Sequence, residues 1–415
     1  MSAALRGFRG RALAIAAAGL TLRVLFTLLV ARHHPGIGDF FFYHRSANAL
    51  ADGQGYIDPF LSAQGNPYPS ALHPPLWPFA LSVASLLGET GFTAHRLVGC
   101  LAGAVTVFLV GLVARRVGGE RVGLIAAGLA AIYPVLIAAD SSLMSEGLYG
   151  TMIAAVLLAA LRAVERPTVG RLAVLGGATG LAILTRGEAL LFVPLLLLPL
   201  AWRGGKRARV TRLAAALAAV MVVVAPWTVR NWIQFDRPVL VSTNDATVVA
   251  GANCRLVYRG PAIGLWDIDC ISKVDRALDE AEQTARWRRE GVRYARENAG
   301  RLVAVVPARV LRTWGLYQPA KGAEQSEGGA RWMKRAATAS YYLVAVAALA
   351  GAWVLRRRGA TLLVLLTPVL VVTLSSAASF GLPRFREAAE IALVVLAAAA
   401  VDRPLARRAT PSRPA

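Results

Sequence analysis

The sequence predicts an all-α polytopic membrane protein of about ten transmembrane helices. It would carry a first outer loop of juxtamembrane helices and a small α/β region in a later outer loop. Two observations predict it. Hydrophobic residues make up 56% of the 415 positions and charged residues only 17%, with a mean hydropathy of +0.51. Basic residues also collect in alternate links between apolar runs, at Arg115 to Arg121, Arg162 to Arg171, Arg203 to Arg212 and Arg356 to Arg358, and again near both ends of the chain. That is the positive-inside pattern. The net charge of +22 would raise nucleic acid as a partner for a soluble chain. A phosphate-binding face is continuous, whereas this charge is divided among short loops, so nucleic acid is set aside and the lipid bilayer is the expected partner.

The basic start, Met1 to Arg11, precedes about twenty apolar residues without a small-residue cleavage pattern and reads as a retained signal anchor. The first span, Arg11 to Ala31, holds Arg23, which should face protein or snorkel. The run Leu76 to Leu87 is short, follows Pro74-Pro75 and contains Pro78. If it crossed, every later basic cluster would change sides, so it belongs to the first loop. The further spans are then Leu97 to Ala114, Val122 to Ala139, Leu148 to Ala163, Leu172 to Leu184, Leu190 to Trp202, Leu213 to Trp227, Tyr341 to Leu355, Leu362 to Leu374 and Ile391 to Val401. Gly176 with Gly180 reads as a close helix-packing pair.

Three parts follow. Residues 1–229 form an N-terminal transmembrane core that includes the first outer loop, 32–94; residues 230–335 form an extracytoplasmic region; residues 336–415 return to the membrane and end in a basic cytoplasmic tail. Within the middle part, Leu240 to Thr243 and Thr247 to Ala250 have strand composition, Lys273 to Asn298 reads as a surface helix, and Leu302 to Leu316 as a helix along the membrane. Cys254 and Cys270 share this part, and both a disulfide and two separate thiols remain open. The expected location is the inner (plasma) membrane, with both termini cytoplasmic and the reaction site outside.

With this topology, costly polar residues fall at the outer ends of spans. The first loop supplies Asp39, Tyr43, His44 and His73; the second outer loop supplies Asp140 and Glu146; later ends supply Arg186, Arg230, Arg384 and Arg386. The plain reading is that Arg186 pairs with Glu188, and Arg386 with Glu387 or Glu390, while tryptophans 77, 227 and 232 form an interfacial belt. The chemical reading is group transfer from a membrane-held phosphate carrier. A prenyl-phosphate sugar needs lipid for its tail and cations for its phosphate, and a carboxylate to take the proton of an acceptor hydroxyl. Asp39 is the candidate base; a transporter or lipid flippase is the alternative, although its charges would lie at the midplane. No HExxH or paired-Cys spacing marks a metal, and a divalent ion of unknown identity stays open.

At these residues the sequence resembles the GT-C membrane glycosyltransferases, specifically the group of protein O-mannosyltransferases and the lipid A aminoarabinose transferase. The likeness rests on Asp39 to Tyr43, Ala49 to Gly55, His73-Pro74-Pro75-Leu76-Trp77-Pro78 and His95-Arg96-Leu97. It continues through Tyr133-Pro134, Ser145-Glu146, Leu184-Thr185-Arg186-Gly187-Glu188, Pro226-Trp227-Thr228-Val229-Arg230-Asn231 and Arg384-Phe385-Arg386, over about residues 10 to 400. The resemblance implies an inverting transfer from a polyprenyl-phosphate sugar donor to an acceptor protein, lipid or glycan. It makes Asp39 the first-loop catalytic acid and Glu146, or Asp140, the second-loop acid. Phe40 stands where many relatives carry a second acid.

Overall fold

The structure, a computed structural model, describes residues 7–34, 36–62, 66–202, 205–275, 277–324 and 329–401. The expected basic tail lies outside the described residues. Helix α1 is Phe8–Leu29; α2, Asp39–Ala51, and α3, Leu76–Leu86, lie in the first loop. Then come α4 Phe92–Gly118, α5 Glu120–Ile132, α6 Pro134–Asp140, α7 Glu146–Glu165, α8 Val169–Thr185, the short α9 Leu198–Ala201 and α10 Lys206–Gln234. The middle region holds α11 Asn244–Ala252, α12 Glu280–Glu297, α13 Leu302–Thr313 and α14 Pro319–Glu324. The chain closes with α15 Arg331–Leu355, α16 Gly359–Ala378 and α17 Glu387–Val401.

Among the described residues, six segments are long and apolar enough to cross a membrane: 8–33, α4, α7, α10, α15 and 361–378. Helices α5 and α6, bent by 58° where Pro134 interrupts the ladder after Ile132, make a seventh if they form one span. The other three expected spans correspond to α8, the segment 187–201 and α17, of 17, 15 and 15 residues. At about 1.5 Å per residue these fall short of the roughly 30 Å hydrocarbon core. Among the described residues, length and composition therefore support six or seven of the ten expected spans. Helix α3, with 11 residues, is shorter still.

Two sets of contacts define the ends of the bundle. At one end Arg11 reaches Glu120 at 3.1 Å, Arg116 reaches Glu165 at 2.5 Å, and Arg358 donates to the Val117 carbonyl at 2.6 Å. Three of the four basic links of the sequence thus share one end. Inside, small residues let helices approach: a Cβ on Gly176 would sit 2.1 Å from the Ala216 carbonyl oxygen, and one on Gly180 2.8 Å from Val223. The pair packs α8 on α10, as its spacing predicts. Arg23 faces protein, with its Nε 2.6 Å from Asp140 Oδ2 and its other nitrogens on the carbonyls of Gly19, Ala130 and Ala131.

The α/β expectation for the middle region is corrected. No strand occurs among the described residues beyond the single bridge between Ile57 and Pro69. Thr247 to Ala250 lies in α11, whose small face packs so closely on α12 that a Cβ on Gly291 would meet the Val249 carbonyl at 2.6 Å. Tertiary packing overrides β-propensity there. Leu240 to Thr243 is a bent connection that pairs with no strand. It is tied by Thr243 N–H to the Ala71 carbonyl, by Ser242 Oγ to Leu72, and by Trp227 Nε1 to Val241. The Trp belt is corrected too, since Trp77 and Trp227 are buried joints and only Trp232 is exposed. Cys254 and Cys270 form a disulfide. Helix α13 turns Arg309 and Arg312 inward onto the carbonyls of Ala252, Ala377, Ile263 and Pro261, while Val303 faces out.

Candidate active site

Asp39 is the first residue of α2, and Gly38 before it adopts φ 55°, a left-handed turn that favours glycine and starts the helix abruptly. The carboxylate therefore sits at a helix N-terminus, where the backbone dipole favours negative charge. Glu146 likewise opens α7; Arg186 follows the last residue of α8; Arg384 lies in the tight turn Pro383–Arg386 between α16 and α17. These four side chains come from distant parts of the chain and meet at one end of the bundle.

Arg384 Nη2 is 3.4 Å from Asp39 Oδ2, and its Nε is 3.7 Å from Glu146 Oε1. Arg186 reaches the same Glu146 oxygen at 2.9 Å and Glu188 at 2.5 Å. His73 Nε2 lies 3.4 Å from the other Asp39 oxygen, and its Nδ1 is 3.3 Å from the Tyr43 hydroxyl. Ser145 opens α7 but caps no backbone N–H; its hydroxyl instead meets Tyr43 and Arg186, each at 3.3 Å. Burial alone would raise the Asp39 carboxyl, but His73, Arg384 and Arg186 hold it well below the usual carboxylate range. Asp39 is thus ionised at neutral pH. Burial, with Asp39 and Glu146 nearby, pushes the Tyr43 hydroxyl up, keeping it a neutral hydrogen-bonding group.

Asp39, with a side chain 30% exposed, faces a cavity of about 1260 Å³. Tyr43, His73, Ser145, Arg186, Glu188 and Arg384 line its membrane-facing wall; Arg237, Asn244, Trp266 and Arg288 line it from the middle region. Glu146 and Arg386 instead line a smaller cavity of about 180 Å³, and Arg384 lines both.

The remaining expected residues are not brought to the Asp39 cavity. Asp140 is buried against Arg23. Arg230 donates to the carbonyls of Ser70 and Tyr56 at 2.7 Å each and clamps the first loop. His44 stacks on Phe92 and meets His95, with 3.1 Å between their Nδ1 atoms. Arg386 pairs with Glu390 at 3.0 Å, and Arg186 with Glu188, so both plain pairings are present. Sequence reasoning used Ser145 only within the family likeness and gave it no role in the site, and it missed Arg237 and Arg288, which no local pattern ties to Asp39.

The cavity does not assemble a set of carboxylate and imidazole ligands. Asp39 and Glu146 are each engaged by cations, and no trio of His, Cys, Asp or Glu converges there among the described residues. Three carboxylates do group elsewhere, at Asp236, Asp279 and Glu282, with ligand atoms within 4.8 Å of one another. They do not line the cavity, so no reaction step is routed through a metal.

These features define a multi-span, all-helical membrane protein with a carboxylate and arginines gathered at one end of its bundle. Residues 72–230 match the family model of dolichyl-phosphate-mannose-protein mannosyltransferase. Among solved structures, the chain is similar to the archaeal oligosaccharyltransferase AglB from Archaeoglobus fulgidus in complex with an inhibitory peptide and a dolichol-phosphate. The identity is 15%, over 92% of this chain and 50% of that one, with a TM-score of 0.51. The Archaeoglobus fulgidus oligosaccharyltransferase in complex with Zn and sulfate matches at 14% identity, 92% and 48% coverage and a TM-score of 0.53. ArnT from Cupriavidus metallidurans bound to undecaprenyl phosphate matches at 17% identity, 94% and 78% coverage and a TM-score of 0.42. The chain spans about half the length of the AglB chains it matches. No protein of curated function matches by sequence.

Proposed function

We propose that the protein is an inverting glycosyltransferase that moves a sugar from a polyprenyl-phosphate donor to an acceptor hydroxyl at the extracytoplasmic face of the membrane. One observation carries the reading: the ionised Asp39 carboxylate and the guanidinium groups of Arg186 and Arg384 line one cavity of about 1260 Å³. The family match over residues 72–230 and the dolichol-phosphate in the AglB complex support a prenyl-phosphate donor.

In the proposed reaction the acceptor oxygen attacks the anomeric carbon while Asp39 takes its proton. The bond from that carbon to the phosphate oxygen breaks, and the electron pair leaves with the prenyl phosphate. Arg186 and Arg384 stabilise that anion, so no general acid is needed. His73, in hydrogen-bond contact with Tyr43, which in turn donates to Ser145, fixes the Asp39 carboxylate toward the cavity.

The proposed division keeps residues 1–229 as the core, 230–335 as the cavity's outer wall and 336–415 as the returning helices. The disulfide supports an oxidising, extracytoplasmic side for the wall, and the shared basic end of the bundle supports cytoplasmic termini. The clustering of charge at one end rather than the midplane favours transfer over transport.

The deciding experiment is transfer from a polyprenyl-phosphate sugar by purified Asp39→Asn protein. Loss of transfer with retained folding is expected; full activity would defeat the assignment. A single cysteine at Glu297 should label only from outside the cell, and labelling from the cytoplasm would reverse the topology.

A further inference from the structure

We propose that the smaller cavity is a second lipid site, in which the Arg96 guanidinium takes the phosphate head of a membrane lipid whose chain enters between α1, α6 and α15. This inference stands apart from the transferase reading and concerns the other side of Arg384.

Arg96 is 3% exposed and lines the cavity. One terminal nitrogen donates to the His34 carbonyl at 3.0 Å, and the guanidinium lies over Phe40, 5.2 Å from the ring centroid. Its Nε and Nη1 are buried without a hydrogen-bond partner, and no carboxylate among the described residues pairs with it. The buried Ser141 hydroxyl lies on the same wall. A buried guanidinium with two unused N–H groups is rare in a native protein and calls for a partner that the protein does not itself supply.

The surroundings select that partner. Four cations line the cavity, Arg96, Lys334, Arg384 and Arg386, against two carboxylates, Glu146 and Glu387. Glu146 is already offset by Arg186 at 2.9 Å. Arg384 and Arg386 are themselves held by Asp39, Glu146 and Glu390. The unused donors of Arg96 therefore set the preference, and the planar fork of arginine suits a phosphate. The rest of the wall is apolar, with Phe26, Val135, Met144 and Met333, and water alone would leave it poorly matched. About 180 Å³ holds a phosphate and the first carbons of a chain. Beyond it, Leu25, Leu29 and Trp332 present exposed apolar surface along which the chain could lie. An anionic head on an apolar tail satisfies both parts at once.

The test is native mass spectrometry of the full-length protein, stripped of lipid and titrated in separate arms with a polyprenyl phosphate, with phosphatidic acid and with inorganic phosphate. The site predicts one lipid equivalent that Arg96→Gln weakens at least tenfold. Ala337→Phe, which fills the cavity from α15 and leaves Arg96 in place, should do the same. Arg186→Gln, in the larger cavity, should leave that equivalent intact while removing any separate donor equivalent, so this inference and the transferase reading can fail independently. A response confined to polyprenyl phosphate assigns the site to the carrier lipid; an equal response to phosphatidic acid assigns it to a bilayer lipid. Equal lipid retention by wild type, Arg96→Gln and Ala337→Phe overturns the proposal, as does inorganic phosphate binding as tightly as either lipid.

Discussion

Arg384 Nη2 lies 3.4 Å from Asp39 Oδ2 although 345 residues separate them in the chain. The contact closes the first loop against the turn before the last helix. Because the same guanidinium also reaches Glu146 and lines both cavities, Arg384 joins the proposed base, the second-loop acid and the two binding spaces.

Changing Arg384 to glutamine should therefore act on turnover as well as on donor binding. With Arg186 left in place, a fall in kcat of roughly tenfold to a thousandfold is expected, as for loss of one charge-stabilising donor. Arg384→Lys should recover little, because a point charge cannot bridge two carboxylates as the planar fork does. Steady-state kinetics with varied donor separate the two effects.

His73→Gln removes the imidazole beside Asp39 but leaves the base itself. The prediction is a moderate loss of kcat with a shifted acid limb of the pH profile, whereas Asp39→Asn abolishes transfer at every pH. Equal, pH-independent losses in both variants would remove His73 from its positioning role.

Asp140 and Glu146 are told apart by stability. Asp140→Ala leaves Arg23 buried without its 2.6 Å partner, and the cost should be about 3–5 kcal/mol. The protein that does fold should keep its specific activity. Glu146→Gln should instead impair transfer with a smaller drop in Tm; thermal unfolding in detergent, paired with activity per folded molecule, measures both.

His44 gives the fold a dependence on acid. Burial, together with the neighbouring Arg45, pushes its pKa down to about 4 from an ordinary value of 6.5. The unfolded chain therefore takes up this proton first, and stability is lost as pH falls below about 6.5, levelling off near 4. The slope from this residue is at most about 1.4 kcal/mol per pH unit. His44→Gln should flatten the Tm-against-pH curve in that window.

The Cys254–Cys270 bond closes a short loop beneath α11, with a sequence separation of 16. Replacing Cys270 with serine should cost about 3 kcal/mol of local stability. Limited proteolysis should then cut the middle region at lower protease concentrations, with the transmembrane helices unaffected.

Composition and the placement of basic residues were enough to establish from sequence that the chain is a helical membrane protein. Burying backbone in lipid leaves few other options, and positive charge crosses membranes poorly. The arginine and carboxylate pairs at positions 186 with 188 and 386 with 390 were legible for the same local reason, since partners two or four residues apart meet whatever the fold. Which polar residues share the Asp39 cavity was a tertiary matter. Arg230 and Arg384 look alike in sequence, each an arginine within two residues of an aromatic side chain and near a helix end. Only the packing of the first loop turns one onto the carbonyls of Tyr56 and Ser70 and the other onto Asp39. The strand-like Thr247 to Ala250 became a helix because α12 offered a closer surface than any neighbouring strand could.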